Sequence, residues 1–246
     1  MDNNIIEGRN PVIEALRSGR DIEKILISKG NKEGSIKKIM AMAKENRVFV
    51  QYVDKNKINQ ISTSGAHQGV IAYVAAYRYH ELEEILDAAR SKEEDIILII
   101  LDEITDPHNL GSIIRTADAV GVHGVIIPKR RSVGLTAAVA KTSAGAIEYV
   151  PVTRVTNLSR TIDYLKEQGI WVVGADMDGE KLHYDSDLAG NIAFIIGSEG
   201  KGISRLVKEK CDFLVKLPMK GRVSSLNASV AASILMYEAL RQRKSR

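Results

Sequence analysis

The chain has 246 residues, about one and a half times a typical domain, so one large α/β domain and two smaller ones are both open. Its residues are 44% hydrophobic, and 35 basic against 31 acidic side chains leave a net charge of +4, which excludes a disordered, collagen-like or disulfide-stapled chain. One Cys makes neither an internal disulfide nor a Cys-based zinc site, the apolar run Ile96 to Leu101 is too short to span a bilayer, and no charged-then-apolar segment opens the chain, so the expected setting is the cytoplasm, without a membrane partner.

The charge is uneven. Residues 1–78 carry 13 basic and 8 acidic side chains, residues 79–95 carry 2 and 7, and residues 96–246 carry 20 and 16, ending in RQRKSR. Two basic blocks around an acidic segment predict two domains, 1–77 and 96–246, joined over 78–95 by a short, solvated helix. Basic surfaces attract polyanions, although a mild excess is also common on ordinary proteins. Only 5% of residues are aromatic, which argues against a base-stacking platform.

In the first block, NPVIEALRSG (10–19) predicts a helix capped by Asn10, with Pro11 at its first position and Gly19 as its stop. IEKILIS (22–28) predicts a strand, and SIKKIMAMAKENR (35–47) an amphipathic helix with Ile36, Ile39, Met40 and Ala43 on one face. VFVQYV (48–53) and GVIAYVAAY (69–77) are β-rich. From residue 96 the pattern becomes strand–loop–helix. Apolar strand candidates at 96–101, 125–127, 170–173, 192–196 and 213–217 alternate with helical stretches near 110–120, 135–144, 156–168 and 203–210. Short, almost uninterrupted apolar runs between helices predict a parallel sheet covered on both faces.

Ligands bind beyond the carboxyl ends of strands in such sheets, and three polar, glycine-marked segments fall there. In LDEITDPHNLGSIIRTADAVG (101–121), Asn109 can cap the following helix and Gly121 can end it, while Ile113, Ile114, Ala117 and Val120 form a buried face that leaves Arg115 projecting. Taken alone, Arg115 reads as a solvated charge. FIIGSEGKGISRL (194–206) fails both nucleotide-loop patterns. Ile203 stands where a Walker A lysine belongs, and Arg205 replaces the third glycine of the dinucleotide fingerprint. A tight turn with exposed N–H groups and one carboxylate, Glu199, is left. In LPMKGRVSSLNASVAASILMYEALRQR (217–243), Ser224, Ser225 and Asn227 cluster at the start of a helix with Val230, Ile234 and Tyr237 at helical spacing; simple N-capping by Ser225 or Asn227 accounts for the cluster. The five His are scattered with no metal-ligand spacing, and no Gly-x-Ser-x-Gly elbow supports a hydrolase.

Together DPHNLGSIIRTADAVGV, GSEGKGI and LPMKGRVSSLNASVAASI resemble the three ordered motifs of the SpoU/TrmH branch of the SPOUT RNA methyltransferases. IEGRNPVIEALRSG and AHQGVIAYV resemble the N-terminal RNA-binding domain of that branch's ribosomal RNA members, which makes IEGR (6–9) native rather than an engineered protease site. One departure is Ala228, where many relatives have Val. The resemblance implies an α/β fold with a deep trefoil knot, although connection rules alone disfavour knots. It implies S-adenosylmethionine as cofactor, held around Gly197, Gly202, Leu217, Met219 and Leu226, no metal, and polar active-site positions at Asn109, Arg115, Glu199, Ser225 and Asn227. It further implies a homodimer formed by the first and last helices of the knotted domain, and methylation of a ribose 2′-oxygen, closest to a guanosine of large-subunit (23S) ribosomal RNA. A transfer RNA or drug-resistance methyltransferase stays open, as does an RNA-binding assembly protein without activity; the failed glycine fingerprint disfavours an oxidoreductase.

Overall fold

The computed structural model describes residues 5–18, 20–30, 34–74, 77–222 and 225–244. Gly19 and Ser224 lie outside the described residues. The chain divides into two units, residues 1–78 with 134–137, and residues 79–133 with 138–246.

In the first unit β1 (Ile5–Glu7), α1 (Arg9–Arg17), β2 (Ile22–Ser28), α2 (Ser35–Glu45), β3 (Phe49–Val53), α3 (Lys55–Ile61) and β4 (Val70–Val74) follow one another. The sheet order is β1-β4-β2-β3, with only the β2–β3 pair parallel. Alternation along β2 sends Ile25 and Ile27 to a core shared with Val12, Leu16, Ile36 and Ile39, and Leu26 to the opposite face with Ile58 and Ile71. Helix α1 starts earlier than expected. Gly8 is its cap, at φ 93°, so Asn10 and Pro11 lie within the first turn.

IEGR is a structural knot of contacts in its own right. The Glu7 carboxylate accepts from the hydroxyls of Ser62, Thr63 and Ser64 and from the backbone N–H of Thr63 at 2.5–2.8 Å. Partial burial raises its pKa, but these donors outweigh that effect and hold it at about 2. Gly8 N–H donates to Val70 O, and the Arg9 Nε donates to Gln68 O, so two sequence motifs about sixty residues apart become one piece.

The second unit contains α4 (Leu82–Arg90), β5 (Ile97–Asp102), α5 (Pro107–Val120), β6 (Gly124–Pro128), α6 (Ala137–Thr142), β7 (Val152–Val155), α7 (Leu158–Glu167), β8 (Trp171–Ala175), β9 (Lys181–Leu182), β10 (Ile192–Gly197), α8 (Arg205–Lys208), β11 (Phe213–Lys216) and α9 (Ala228–Lys244). All seven strands are parallel, in the order β7-β6-β5-β10-β8-β11-β9. Leu98, Ile100, Ala193 and Ile195 face the buried residues of α4 and α7. Helices α5 and α9 pack on each other, and α9 on β10. Both faces are thus covered, which is why the strands read as continuous apolar runs.

Helix α4 is the expected acidic helix, yet it is not simply solvated. Leu82, Ile85, Leu86 and Ala89 repeat at helical spacing and enter the core of the second unit, leaving the carboxylates on the outer face. The basic end of α9 is likewise partly structural. The Arg243 guanidinium donates to the carbonyls of Ala189, Gly190, Asp95 and Ile96 at 2.6–3.1 Å, fastening the helix to the amino ends of β5 and β10.

Beside that edge His123 is buried. Its Nδ1 accepts from Ile97 N–H at 3.1 Å, so Nε2 carries the proton and donates to Glu94 at 3.1 Å. Burial first and the charge of Lys92 second lower its pKa below 6.5, against the pull of Glu94. A depressed histidine pKa contributes stability that is complete above the unfolded value and lost as pH falls through the folded one. The urea midpoint is therefore expected to fall on going from pH 7.5 to below 6.5, and to fall less in His123→Gln. An equal decline in the two proteins would assign the pH dependence elsewhere.

Candidate active site

The register of β10 against β5 runs from Ile192↔Ile97 to Gly197↔Asp102, which brings the loops after both strands to one sheet edge. Asp106, rather than Asn109, caps α5, accepting from His108 N–H at 2.9 Å with Pro107 at the first helical position; Gly121 ends the helix at φ 79°, as its sequence predicts. Asn109 thus sits in the first turn with its amide released from capping.

That amide joins a relay whose direction is fixed by donors. Asn227 Oδ1 accepts from the backbone N–H groups of Ser229 (3.0 Å) and Val230 (3.3 Å), so this end must be oxygen and the other end must be NH2. Asn227 Nδ2 donates to Asn109 Oδ1 at 2.8 Å and to Glu199 Oε1. Asn109 Nδ2 must then donate onward, and does so to Glu199 Oε1 at 3.1 Å. Asn227 thus caps α9 and joins the relay at once, because the two ends of one amide do different jobs.

The loop carrying Glu199 is a tight turn. Ser198 and Gly202 exchange backbone hydrogen bonds at 2.8 and 3.1 Å, with Gly202 at φ 66°. Asp102, buried at the end of β5, accepts Ser204 N–H at 2.7 Å and pins the turn to the neighbouring strand. Leu217, Met219 and Leu226 are half-buried in the segment that follows β11. Thr116 and Ser233 join α5 to α9 through their hydroxyls at 3.0 Å.

Asn109, Glu199 and Asn227 are therefore brought together, whereas Arg115 and Ser225 are exposed and join no part of this relay. Glu199 accepts from the amides of both asparagines. The sequence reading missed Asp102, the pin of the turn, and Glu103, held at φ 59° beside Arg131 (2.9 Å) and Lys201 (4.0 Å). Glu103 adjoins the first motif, but its conformation had no sequence signal. Among the described residues no cluster of His, Cys, Asp and Glu is arranged to hold a metal ion, and no helix is long and apolar enough to cross a membrane.

Residues 96–237 match the SpoU rRNA Methylase family. The chain belongs to that family. Residues 5–80 of this SpoU methylase match a second family, described as RNA 2′-O ribose methyltransferase substrate binding. It is 55% identical over 236 residues to YacO of Bacillus subtilis (strain 168), named for the TrmH family of tRNA/rRNA methyltransferases, spanning 96% of this chain and 94% of that one. A Staphylococcus aureus (strain COL) protein of the same designation is 51% identical over 99% of this chain and 98% of its own. Its fold is similar to that of the SpoU methyltransferase AviRb of Streptomyces viridochromogenes in complex with AdoMet, with a TM-score of 0.63 at 27% identity over 98% of this chain and 91% of that one. This SpoU methylase is an RNA methyltransferase that uses S-adenosylmethionine.

Gly197 lets the turn close on its own strand: a Cβ there would lie 2.1 Å from the Gly202 carbonyl carbon.

Proposed function

We propose that this chain methylates the ribose 2′-hydroxyl of a guanosine in 23S ribosomal RNA, in the cytoplasm. The observation carrying the 2′-hydroxyl assignment is the Asn109–Glu199–Asn227 relay beside the Gly197–Gly202 turn, with the substrate-binding match at 5–80 in support. The guanosine and the large-subunit RNA rest on the motif resemblance. S-adenosylmethionine, when bound, supplies an electrophilic methyl group. Backbone groups around Gly197, Gly202, Leu217, Met219 and Leu226 hold it. The relay presents Glu199 and Asn109 in fixed orientations, so that the reacting hydroxyl is positioned rather than searched for. Arg115 carries a guanidinium, which offers N–H donors and no acceptor; it fixes the neighbouring phosphate, and that phosphate or a water takes the 2′-OH proton. Mapping reverse-transcription stops at low nucleotide concentration on ribosomal and transfer RNA from a deletion strain tests the assignment. A stop missing from 23S RNA and restored by the gene is expected; loss of a transfer RNA stop instead would overturn it.

The same reading includes the knot, supported by the placing of β10 between β5 and β8 and the return of α9 onto α5. It assigns RNA docking to residues 1–77, supported by their excess of basic side chains. A test by truncation should begin the chain at residue 79, since a start at 96 would strip α4 from the core.

Homodimerisation is proposed on a set that only partly overlaps the one the sequence suggests: of Ile113, Ile114, Val120, Leu235, Met236, Tyr237 and Leu240, the first five are buried in the core of the monomer, whereas Tyr237 is exposed. The outward stripe of α9 is Val230, Ile234 and Tyr237, with Val230 46% and Tyr237 52% exposed. An isologous contact through this stripe would set Arg115 of one protomer by the relay of its partner. Mixing inactive Arg115→Ala with inactive Asn227→Ala protein is then expected to restore one working site in each heterodimer. No recovery, with subunit exchange shown independently, would place Arg115 and the relay in the same protomer's site.

A further inference from the structure

The first unit has a cleft of about 920 Å3 that the active site does not use. It opens at the carboxyl ends of the parallel pair β2 and β3, the ligand-binding edge of an α/β sheet, here formed a second time in the same chain. Arg9, Lys29 and Lys55 line it together with Ser35, His67 and Gln68, and among the described residues no carboxylate does. Lys29 is partly neutralised by Asp54 at 3.0 Å. Arg9 spends Nε on Gln68 O and reaches Ser35 Oγ with Nη1 at 3.5 Å, leaving the rest of its fork to a ligand. Lys55 is exposed and makes no ion pair among the described residues.

The wall is held in shape without a ligand. His67 Nδ1 accepts Gly69 N–H at 2.9 Å, so its Nε2 donates to Asn59 at 2.9 Å, and Glu7 ties down residues 62–64. Both ring nitrogens of His67 are thereby occupied. Among the described residues no Phe, Tyr or Trp lines the cleft, so it offers cationic donors without a stacking platform. That chemistry recognises a phosphate and is indifferent to the base.

We propose that this cleft binds a phosphodiester of the RNA backbone, with Lys55 and Arg9 as the contacting cations. The inference rests on the proposed RNA docking by residues 1–77 and names where it happens.

The test uses the full chain, Lys55→Gln and, as control, Lys44→Gln, an exposed lysine of α2 outside the cleft. Binding of two short fluorescein-labelled single-stranded RNAs of unrelated sequence is measured by anisotropy between 50 and 200 mM salt. Loss of one phosphate contact should lower the salt slope of log K by about 0.7–1 for both RNAs equally, and Lys44→Gln should leave it unchanged. In methyl transfer, Lys55→Gln should raise KM and spare kcat, as expected when uniform binding is lost. Slopes equal to wild type in Lys55→Gln, with wild-type chain binding and methylating RNA, would overturn this site alone. A wild-type chain that neither binds nor methylates RNA would overturn the docking proposal as well. Titration with inorganic phosphate alone separates the two sources of the same group: binding as tight as that of RNA would make this a free-anion site and overturn the backbone assignment.

Discussion

Gly197→Ala is expected to abolish S-adenosylmethionine binding while leaving most of the fold in place. The added methyl would meet the Gly202 carbonyl carbon at 2.1 Å, its oxygen at 2.2 Å and the Ile203 nitrogen at 2.3 Å, all backbone atoms that cannot rotate away. Nor can the turn swing freely, because Ser198 and Gly202 are bonded to each other and Ser204 to the buried Asp102. The clash opens the turn at the sheet edge, far from the strand cores, so the stability cost is of the overpacking kind, about 1–3 kcal/mol. Calorimetry with S-adenosylmethionine should show no heat in a variant that retains a cooperative thermal transition. An unchanged dissociation constant would mean that the cofactor does not rest on this turn.

The second large effect is expected from Asn227→Asp. Aspartate keeps an oxygen for the N–H groups of Ser229 and Val230, so α9 stays capped. It loses the NH2 that binds Asn109 Oδ1 and Glu199 Oε1, and sets a second carboxylate against Glu199. Thermal stability should change little, whereas kcat should fall by about a hundredfold, the scale of a misplaced reactive group. Asn227→Ala removes cap and relay together and should lose activity and about 1 kcal/mol of stability. Near-normal kcat in Asn227→Asp would show that the relay only closes the loops.

Much of this architecture is legible in the residues. Strands β5 and β10 announce themselves because a sheet covered on both faces needs apolar side chains along its strands, and 97–101 and 192–196 supply them. Arg115 is readable as outward-facing because Ile113, Ile114 and Ala117 define the inner side of α5. Strand β7 is harder to see, since Val-Thr-Arg-Val at a sheet edge is short and mixed in polarity. The acidic composition of 79–95 makes its helix read as solvated although its apolar stripe is complete, so net charge misleads where periodicity would not. Of the apolar positions on α5 and α9, Ile113, Ile114, Val120, Leu235 and Met236 are buried within the monomer, and Tyr237 stays exposed. The relay is beyond any local pattern. Asn109 has the chemistry of a helix cap, and only the nearby Asp106–Pro107 pair, together with loops 90 and 118 residues away, decides that it is something else.

The order in which the relay is made has its own consequence. A ribosome synthesising this chain produces Asn109 first, Glu199 after 90 further residues, and Asn227 after another 28. Helix α9, which carries Asn227 at its start, is fastened by Arg243 to the opposite edge of the sheet only after 16 more residues have been added. At the usual pace of about 5–20 residues per second, the N-terminal unit has seconds to fold before the relay can close. A nascent chain stopped short of Asn227 possesses the glycine turn and two of the three relay groups but not the amide that links them, so the arrangement closes only when the last helix is made.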